Sequence, residues 1–185
     1  MRTADVDILL CVERHALDAD HWAMRWSRNL KTGQVIDVTG RYSDTLGVED
    51  CPLARGVASA RRPILLVGYH LGVIAIVKRA QQFESGRVRG AFLVAPPDVA
   101  LVDAGQGGSP SEHRGKLSNE ALPFPSLMIA SRSDPRCGYD KASELALSWG
   151  SHLVDAGDIG QIDLSSGHGP WPEGLMRLGW FLKRL

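Results

Sequence analysis

The sequence predicts a three-layer α/β sandwich, in which a mostly parallel sheet carries helices on both faces. Short apolar runs alternate with amphipathic stretches along all 185 residues. The apolar runs are nearly continuous, as in strands that are buried on both sides. With 44% hydrophobic content, the chain can form one well-packed core, so we expect a single domain over residues 1–185.

The first half of the chain contains three predicted strands and two predicted helices. The strands are Val6–Val12, Gln34–Val38 and Pro63–Val67. The first helix places Trp22, Trp26 and Leu30 on one face, which indicates packing against the core. Asp18 or Asp20 is expected to cap this helix, because carboxylates commonly accept from the first free amides. The second helix is predicted around Glu49–Ala60.

The second half of the chain continues the alternation of helices and strands. We predict helices over Leu71–Phe83, Tyr139–Trp149 and Glu173–Leu185, and strands over Val88–Ala95, Ser126–Ala130 and His152–Asp155. Pro96 and Pro97 end the fourth strand. The segment Asp98–Leu122 is rich in glycine, serine and charge and is the longest irregular stretch, and loops of this length are often functional.

Composition narrows the choice of partners and location. Lys plus Arg equals Asp plus Glu at 21 each, so no basic surface suggests nucleic acid or an anionic membrane. We expect a small-molecule ligand or a protein partner; the sequence does not predict the oligomeric state. Cys11, Cys51 and Cys137 follow no CxxC spacing and are expected to be reduced thiols. The start of the chain resembles no signal peptide, so a cytoplasmic location is expected, and no metal or cofactor is indicated.

Gly68-Tyr69-His70-Leu71-Gly72 is the most informative motif of the chain. A nucleophile elbow has the form Gly-x-nucleophile-x-Gly between a buried strand and a helix, because a sharp turn exposes one side chain while the glycines permit close packing. Both the strand and the helix are predicted here. The side chain at the nucleophile position is a histidine rather than a serine.

Five segments together carry a family resemblance: Asp20–Trp26, Gly68–Gly72, Leu93–Asp98, Ser131–Pro135 and Ser166–Gly174. In their order and spacing the chain resembles the small serine hydrolases of the retinoblastoma-binding-protein type. The resemblance runs along nearly the whole chain. It implies an α/β-hydrolase-like fold and a Ser, Asp and His triad at the carboxyl ends of strands.

The resemblance implies that two of the three triad positions have changed. Asp134 matches the family's carboxylate; the other reading of this residue is a turn before Pro135. His70 stands in place of the nucleophile. The family's base lies in a Gly-His pair, and the matching pair here is Gly160-Gln161. The triad is therefore expected to be degenerate.

The loop after the first strand departs from the family as well. Family members usually have a Pro- and Gly-rich loop that donates an amide to the oxyanion, whereas this chain has Cys11-Val12-Glu13-Arg14-His15. Without glycine, we do not expect the backbone to approach an oxyanion closely enough to donate to it. We expect Glu13, His15, Tyr69 and Leu71 to line the cleft.

His70 and His168 are both candidates for catalytic roles. His70 could act as a general base oriented by Asp134, as a nucleophile, or as an inert filler of the former site. His168 could fold back over the elbow as a substitute base, or lie in its loop beside Trp171. The scattered histidines lack the spacing of a metal site, although His15 and His70 could lie at the ends of adjacent strands.

Two functions remain open at this point. The first is a catalytically dead or strongly impaired hydrolase homologue that binds a small molecule or a protein. The alternative is a rewired, non-hydrolytic enzyme of the isomerase, lyase or cyclase type that uses His70 with Asp134 as general acid and base. In either case, ordinary Ser-His-Asp hydrolysis is not expected.

Overall fold

A single parallel sheet of six strands organises the chain. The computed structural model describes residues 1–39, 51–100 and 119–185. The strands are β1 (Asp7–Val12), β2 (Gly33–Asp37), β3 (Ile64–Tyr69), β4 (Val88–Val94), β5 (Ser126–Ala130) and β6 (His152–Asp155). Their spatial order is β2-β1-β3-β4-β5-β6, and every neighbouring pair is parallel.

The strand order reverses direction once, between β1 and β3. From β1 the chain moves outward to β2, and from β3 it proceeds the other way through β4 to β6. The loops that leave β1 and β3 therefore diverge to opposite sides and open a crevice at the carboxyl ends of these strands. This crevice is where an open α/β sheet usually binds its ligand.

Helices cover both faces of the sheet, as predicted. They are α1 (Trp22–Asn29), α2 (Pro52–Ser59), α3 (Leu71–Arg79), α4 (Tyr139–Trp149) and α5 (Pro172–Arg184), with 3-10 turns at Thr3–Asp5, Arg14–Leu17 and Ala80–Gln82. Residues of α2, α3 and α4 pack on one face. Residues of α1 and α5 pack on the other. The three-layer α/β sandwich is confirmed.

Tryptophans form the centre of the core beneath α1. Trp22 and Trp26 are buried, which confirms the predicted role of this helical face. The rings of Trp26 and Trp171 stack with centroids 5.7 Å apart. Trp22 Nε1 donates to the Ile162 carbonyl at 2.9 Å, so the core also fixes the loop that follows β6 at the carboxyl edge of the sheet.

The cap of α1 and the end of α3 differ from the prediction. His21, rather than Asp18 or Asp20, caps α1, because its Nδ1 accepts from the Ala23 amide at 3.2 Å. Asp20 instead pairs with Arg25 at 2.8 Å. The α3 helix ends at Arg79 and tightens into a 3-10 turn before Phe83.

Parts of two predictions fall beyond the residues that the structure describes. Glu49, the predicted start of α2, lies in residues 40–50, whereas the helix begins at Pro52 after an extended Cys51. Most of the irregular segment Asp98–Leu122 lies in residues 101–118. Within the described ranges, no helix combines the length and apolar character needed to cross a membrane.

Candidate functional site

The elbow of the sequence motif is a sharp turn in the structure. β3 ends at Tyr69 and α3 begins at Leu71. Between them His70 has φ 50° and ψ −116°, in the positive-φ region that residues other than glycine rarely adopt. Strain of this kind persists where the surrounding structure fixes the backbone, and it is common at functional sites.

The two glycines of the elbow are required by contacts with backbone. A Cβ on Gly72 would lie 1.8 Å from the Cys11 carbonyl oxygen, and one on Gly68 would lie 3.0 Å from the Val73 amide nitrogen. Two atoms that are not bonded to each other cannot approach to 1.8 Å, and a contact of 3.0 Å is closer than most carbon–nitrogen contacts. The start of α3 is therefore packed directly onto the ends of β1 and β3, as the elbow motif predicted.

Glu13 holds the ring of His70. Glu13 follows β1 directly, and its Oε1 is hydrogen-bonded to His70 Nδ1. Both residues are buried, with 7% and 5% of their surface exposed. When Glu13 is ionised, Nδ1 carries the proton of this hydrogen bond, and the neutral ring then presents an Nε2 lone pair.

His15 contacts the same carboxylate oxygen from the solvent side. Its Nε2 lies 3.2 Å from Glu13 Oε1, and its ring centroid is 5.7 Å from that of His70. Glu13 therefore lies between two imidazoles, one buried and one exposed. His15 lies in the 3-10 turn Arg14–Leu17, which begins immediately after Glu13.

Glu13 and the two histidines that contact it affect one another's ionisation. Burial opposes ionisation of Glu13, but hydrogen bonds from His15 and His70 outweigh it and lower the pKa of Glu13 to about 2. The hydrogen bond to Glu13 raises the pKa of His15, against a smaller opposing effect of burial. Glu13 is thus a fixed negative charge at the elbow at neutral pH.

Asp134 lies near His70 without bonding to it. Burial raises the pKa of Asp134, while the Arg136 amide and the charge of His70 act in the opposite direction. Its Oδ1 accepts from the Arg136 amide at 2.8 Å. Asp134 therefore forms a turn around Pro135 and also lies near the elbow, so the two interpretations of this residue are compatible. In the described part of the chain, His70 Nε2 is buried and has no hydrogen-bond partner.

The loop after β6 brings Gln161 beside the elbow. The Tyr69 hydroxyl donates to the Gln161 carbonyl at 3.3 Å, and Ile162 is buried with φ 58°. Asp163 is held by Ser165 and Ser166, and these bonds lower its pKa although burial opposes them.

His168 lies further along the same loop. Its Nδ1 is 3.3 Å from Ser166 Oγ, and its ring meets Trp171 edge-on at 6.4 Å. The described contacts of His168 therefore match the reading in which it lies in its own loop beside Trp171.

The structure thus brings only some of the expected site residues together. His70, Glu13 and His15 are in direct contact, and Asp134 lies nearby. Tyr69 is completely buried between His21 and Trp22, so it supports the elbow from below instead of lining an open cleft. Leu71 is buried with Ile74 and Val99.

Sequence reasoning did not find the pairing of Glu13 with His70. The two residues are 57 positions apart, and a charged residue after a strand is usually solvated. The available signal was their position, since each directly follows one of two adjacent parallel strands.

Comparison with known proteins gives the class of this molecule. The model of the serine hydrolase family matches residues 14–180, so the chain belongs to that family. No curated protein matches it in sequence.

Solved structures agree with the family assignment. A protein of Pectobacterium atrosepticum described as a YdeN-like hydrolase is 28% identical, with a TM-score of 0.78 over 97% of this chain and 91% of its own. The esterase domain of a Rhodothermus marinus protein is 18% identical, with a TM-score of 0.68 over 97% and 87%. The ydeN gene product of B. subtilis is 15% identical, with a TM-score of 0.64 over 96% and 100%. The latter two show the α/β-hydrolase fold alone.

Proposed function

We propose that this chain is a serine hydrolase family member that has lost hydrolysis and uses its former active site to bind a small molecule or a protein. We place it in the retinoblastoma-binding-protein-type branch and in the cytoplasm, where its buried free thiols stay reduced. One observation carries the proposal: the nucleophile position holds a buried histidine whose ring is hydrogen-bonded to Glu13.

The loss of hydrolysis follows from two positions of the triad. His70 offers no hydroxyl for attack on an ester, and Gln161, at the position that we assign to the base, cannot accept a proton. Asp134 is then a carboxylate without a histidine to orient. Loss of triad members leaves only the catalysis that substrate binding and the oxyanion hole supply.

Glu13 works against the remaining oxyanion hole. The family places a donating loop after β1, and this chain places an ionised, buried carboxylate there. A transition state that develops negative charge is destabilised by a fixed negative charge at short range, whereas removal of one donor alone costs about 10²–10³ in kcat. We therefore expect no esterase activity from the other site residues.

Ligand binding is supported by His70 Nε2, which is buried and has no hydrogen-bond partner among the described residues. A buried polar atom without a partner costs about 1–3 kcal/mol, and a ligand with a hydrogen-bond donor would recover part of that free energy. The acid and base alternative paired His70 with Asp134; the observed partner of His70 is Glu13, so we do not advance it.

The test is reaction with a fluorophosphonate probe and turnover of p-nitrophenyl esters. We expect no labelling and no turnover by the wild-type protein. A His70→Ser, Gln161→His double variant restores the triad, and adding Glu13→Gly removes the opposing charge. We expect labelling to increase by about 10²-fold or more from the double to the triple variant.

The contradicting result is turnover by the wild-type protein that disappears in His70→Ala and persists in His152→Ala. His152 is an exposed histidine of β6, remote from the elbow, and it controls for the loss of an imidazole. Such a result would show that His70 is catalytic.

A further inference from the structure

We propose that Glu13, His15 and His70 form a three-ligand site for a divalent transition metal ion of the zinc class. This inference rests on the proposed function, because it places a metal ion among the ligands of the former active site. It concerns the residues that replaced the hydrolytic machinery and not the family's usual chemistry.

The three donor atoms converge from two loops. One carboxylate oxygen of Glu13, one imidazole nitrogen of His15 and one of His70 all lie within 4.8 Å of one another. The Glu13 Oε1 to His15 Nε2 distance is 3.2 Å. Ligands at zinc bond lengths of about 2.0–2.1 Å in a tetrahedron are about 3.3 Å apart. An ion would bind between Glu13 and His70 once the two side chains separate slightly and the proton between them is released, because a histidine binds a metal through an unprotonated nitrogen.

Closely packed backbone carries two of the three ligands. Glu13 follows β1 directly, and His70 is fixed at the elbow by the contact between Gly72 and the Cys11 carbonyl. The two ligand-bearing positions therefore hold a set spacing across the β1 and β3 strand ends. A metal site needs such preorganisation of its ligands.

The chemistry of the donors selects the class of metal. Two imidazoles and one carboxylate suit zinc, iron, cobalt and nickel, whereas calcium and magnesium prefer sets made only of oxygen. Three protein ligands also leave a position for water, as in zinc sites that are not purely structural. Glu13 supplies one negative charge to balance the cation.

The surroundings of the site allow an ion to enter. Asp163 favours a positive charge on His15 and Arg136 opposes it, while Asp134 interacts with His70. The His15 side chain is 55% exposed, compared with 7% for His70. An ion can therefore approach from the His15 side and be bound against the buried pair.

The experiment is titration of the full-length wild-type protein with Co²⁺ and then Zn²⁺. Bound Co²⁺ with nitrogen and oxygen ligands in a low-coordinate site gives strong visible d–d absorption, and Zn²⁺ should abolish it by displacement. Zinc should also raise the Tm by mass action. We expect a stoichiometry of a single ion for each chain.

His15→Ala is the decisive variant, because His15 is exposed and its loss should not prevent folding. We expect zinc affinity to fall by more than about 100-fold, since even the loss of a group that only hydrogen-bonds to a metal ligand costs about 10- to 100-fold. Glu13→Gln should have a similar effect without changing the side-chain shape. His152→Ala and His168→Ala should bind zinc as the wild-type protein does.

Three results would overturn the metal site: no cobalt spectrum in the wild-type protein, undiminished zinc binding by His15→Ala, or loss of binding in His168→Ala. The proposed function fails separately, if the wild-type protein reacts with fluorophosphonate. A protein that is inert to the probe and does not bind zinc would retain the proposed function and refute only the metal site.

Discussion

Acidification should destabilise the protein through His21, and the pH window follows from the burial of this ring. His21 is 1% exposed, and burial lowers its pKa from 6.5 to about 4, with smaller effects of Asp163, His15 and Asp18. Its Nδ1 also accepts the capping hydrogen bond from Ala23. A protonated ring would carry an unfavourable buried charge and would lose this acceptor.

The sign of the effect is determined by proton uptake. The unfolded chain protonates His21 near pH 6.5, whereas the folded chain resists protonation until about pH 4. Between these values the unfolded state binds more protons, so the free energy of unfolding falls as pH falls. The contribution of His21 to the free energy of unfolding is complete above pH 6.5. About 2 kcal/mol of it is lost by pH 5, and about 3 kcal/mol is lost below pH 4.

The assay compares urea unfolding of the wild-type protein and His21→Asn from pH 8 to pH 4. Asparagine retains an oxygen that can accept from the Ala23 amide but does not titrate. Glu13, His15 and Asp134 titrate in both proteins, so their contributions cancel in the difference. We expect the free energy of unfolding of the wild-type protein to fall by about 2 kcal/mol relative to that of His21→Asn between pH 8 and pH 5. A difference that stays constant with pH would refute the assignment of this effect to His21.

Two further predictions concern packing. Gly72→Ala should prevent stable folding, because the new Cβ would lie 1.8 Å from the Cys11 carbonyl oxygen. A Cβ at Gly179 in α5 meets nothing within 4 Å, so Gly179→Ala should instead stabilise the protein by about 0.5–1 kcal/mol. Thermal melts of both variants test this contrast. Trp22→Phe should lower the free energy of unfolding by about 1–3 kcal/mol, because it leaves the buried Ile162 carbonyl unpaired, and it should speed proteolysis in the loop after β6. Trp180→Phe, at an exposed site of α5, should have neither effect. Equal cleavage rates in the two variants would contradict the prediction.

The sheet and its helices could be predicted because their signals are local. Each central strand is a short apolar run, and the order of these runs along the chain matches the observed elements. The end of α3 at Arg79 was missed because the sequence remains compatible with a helix for another turn. The cap of α1 was missed because histidine is not among the usual capping residues, although its Nδ1 can accept a hydrogen bond.

The site was only partly predictable, because its contacts join distant parts of the chain. The elbow could be found from its glycines, whose spacing reflects a steric requirement. The partner of His70 could not, since any of several polar residues at the strand ends could have reached it. Which carboxylate bonds to the ring depends on side-chain directions that neither residue spacing nor composition encodes.

The position of β1 beside β3 has a consequence for how the protein folds. Asp7 pairs with Ile64, so the central strand pair closes a loop that contains β2 and α2, and Glu13 and His70 are 57 residues apart. Closing a loop of that length costs an entropy worth about 3–4 kcal/mol. A ligand that joins the two strand ends cannot bind until this pair has formed, and it then slows the loss of the pair. Such a ligand acts as a reversible crosslink on the most non-local contact in the sheet.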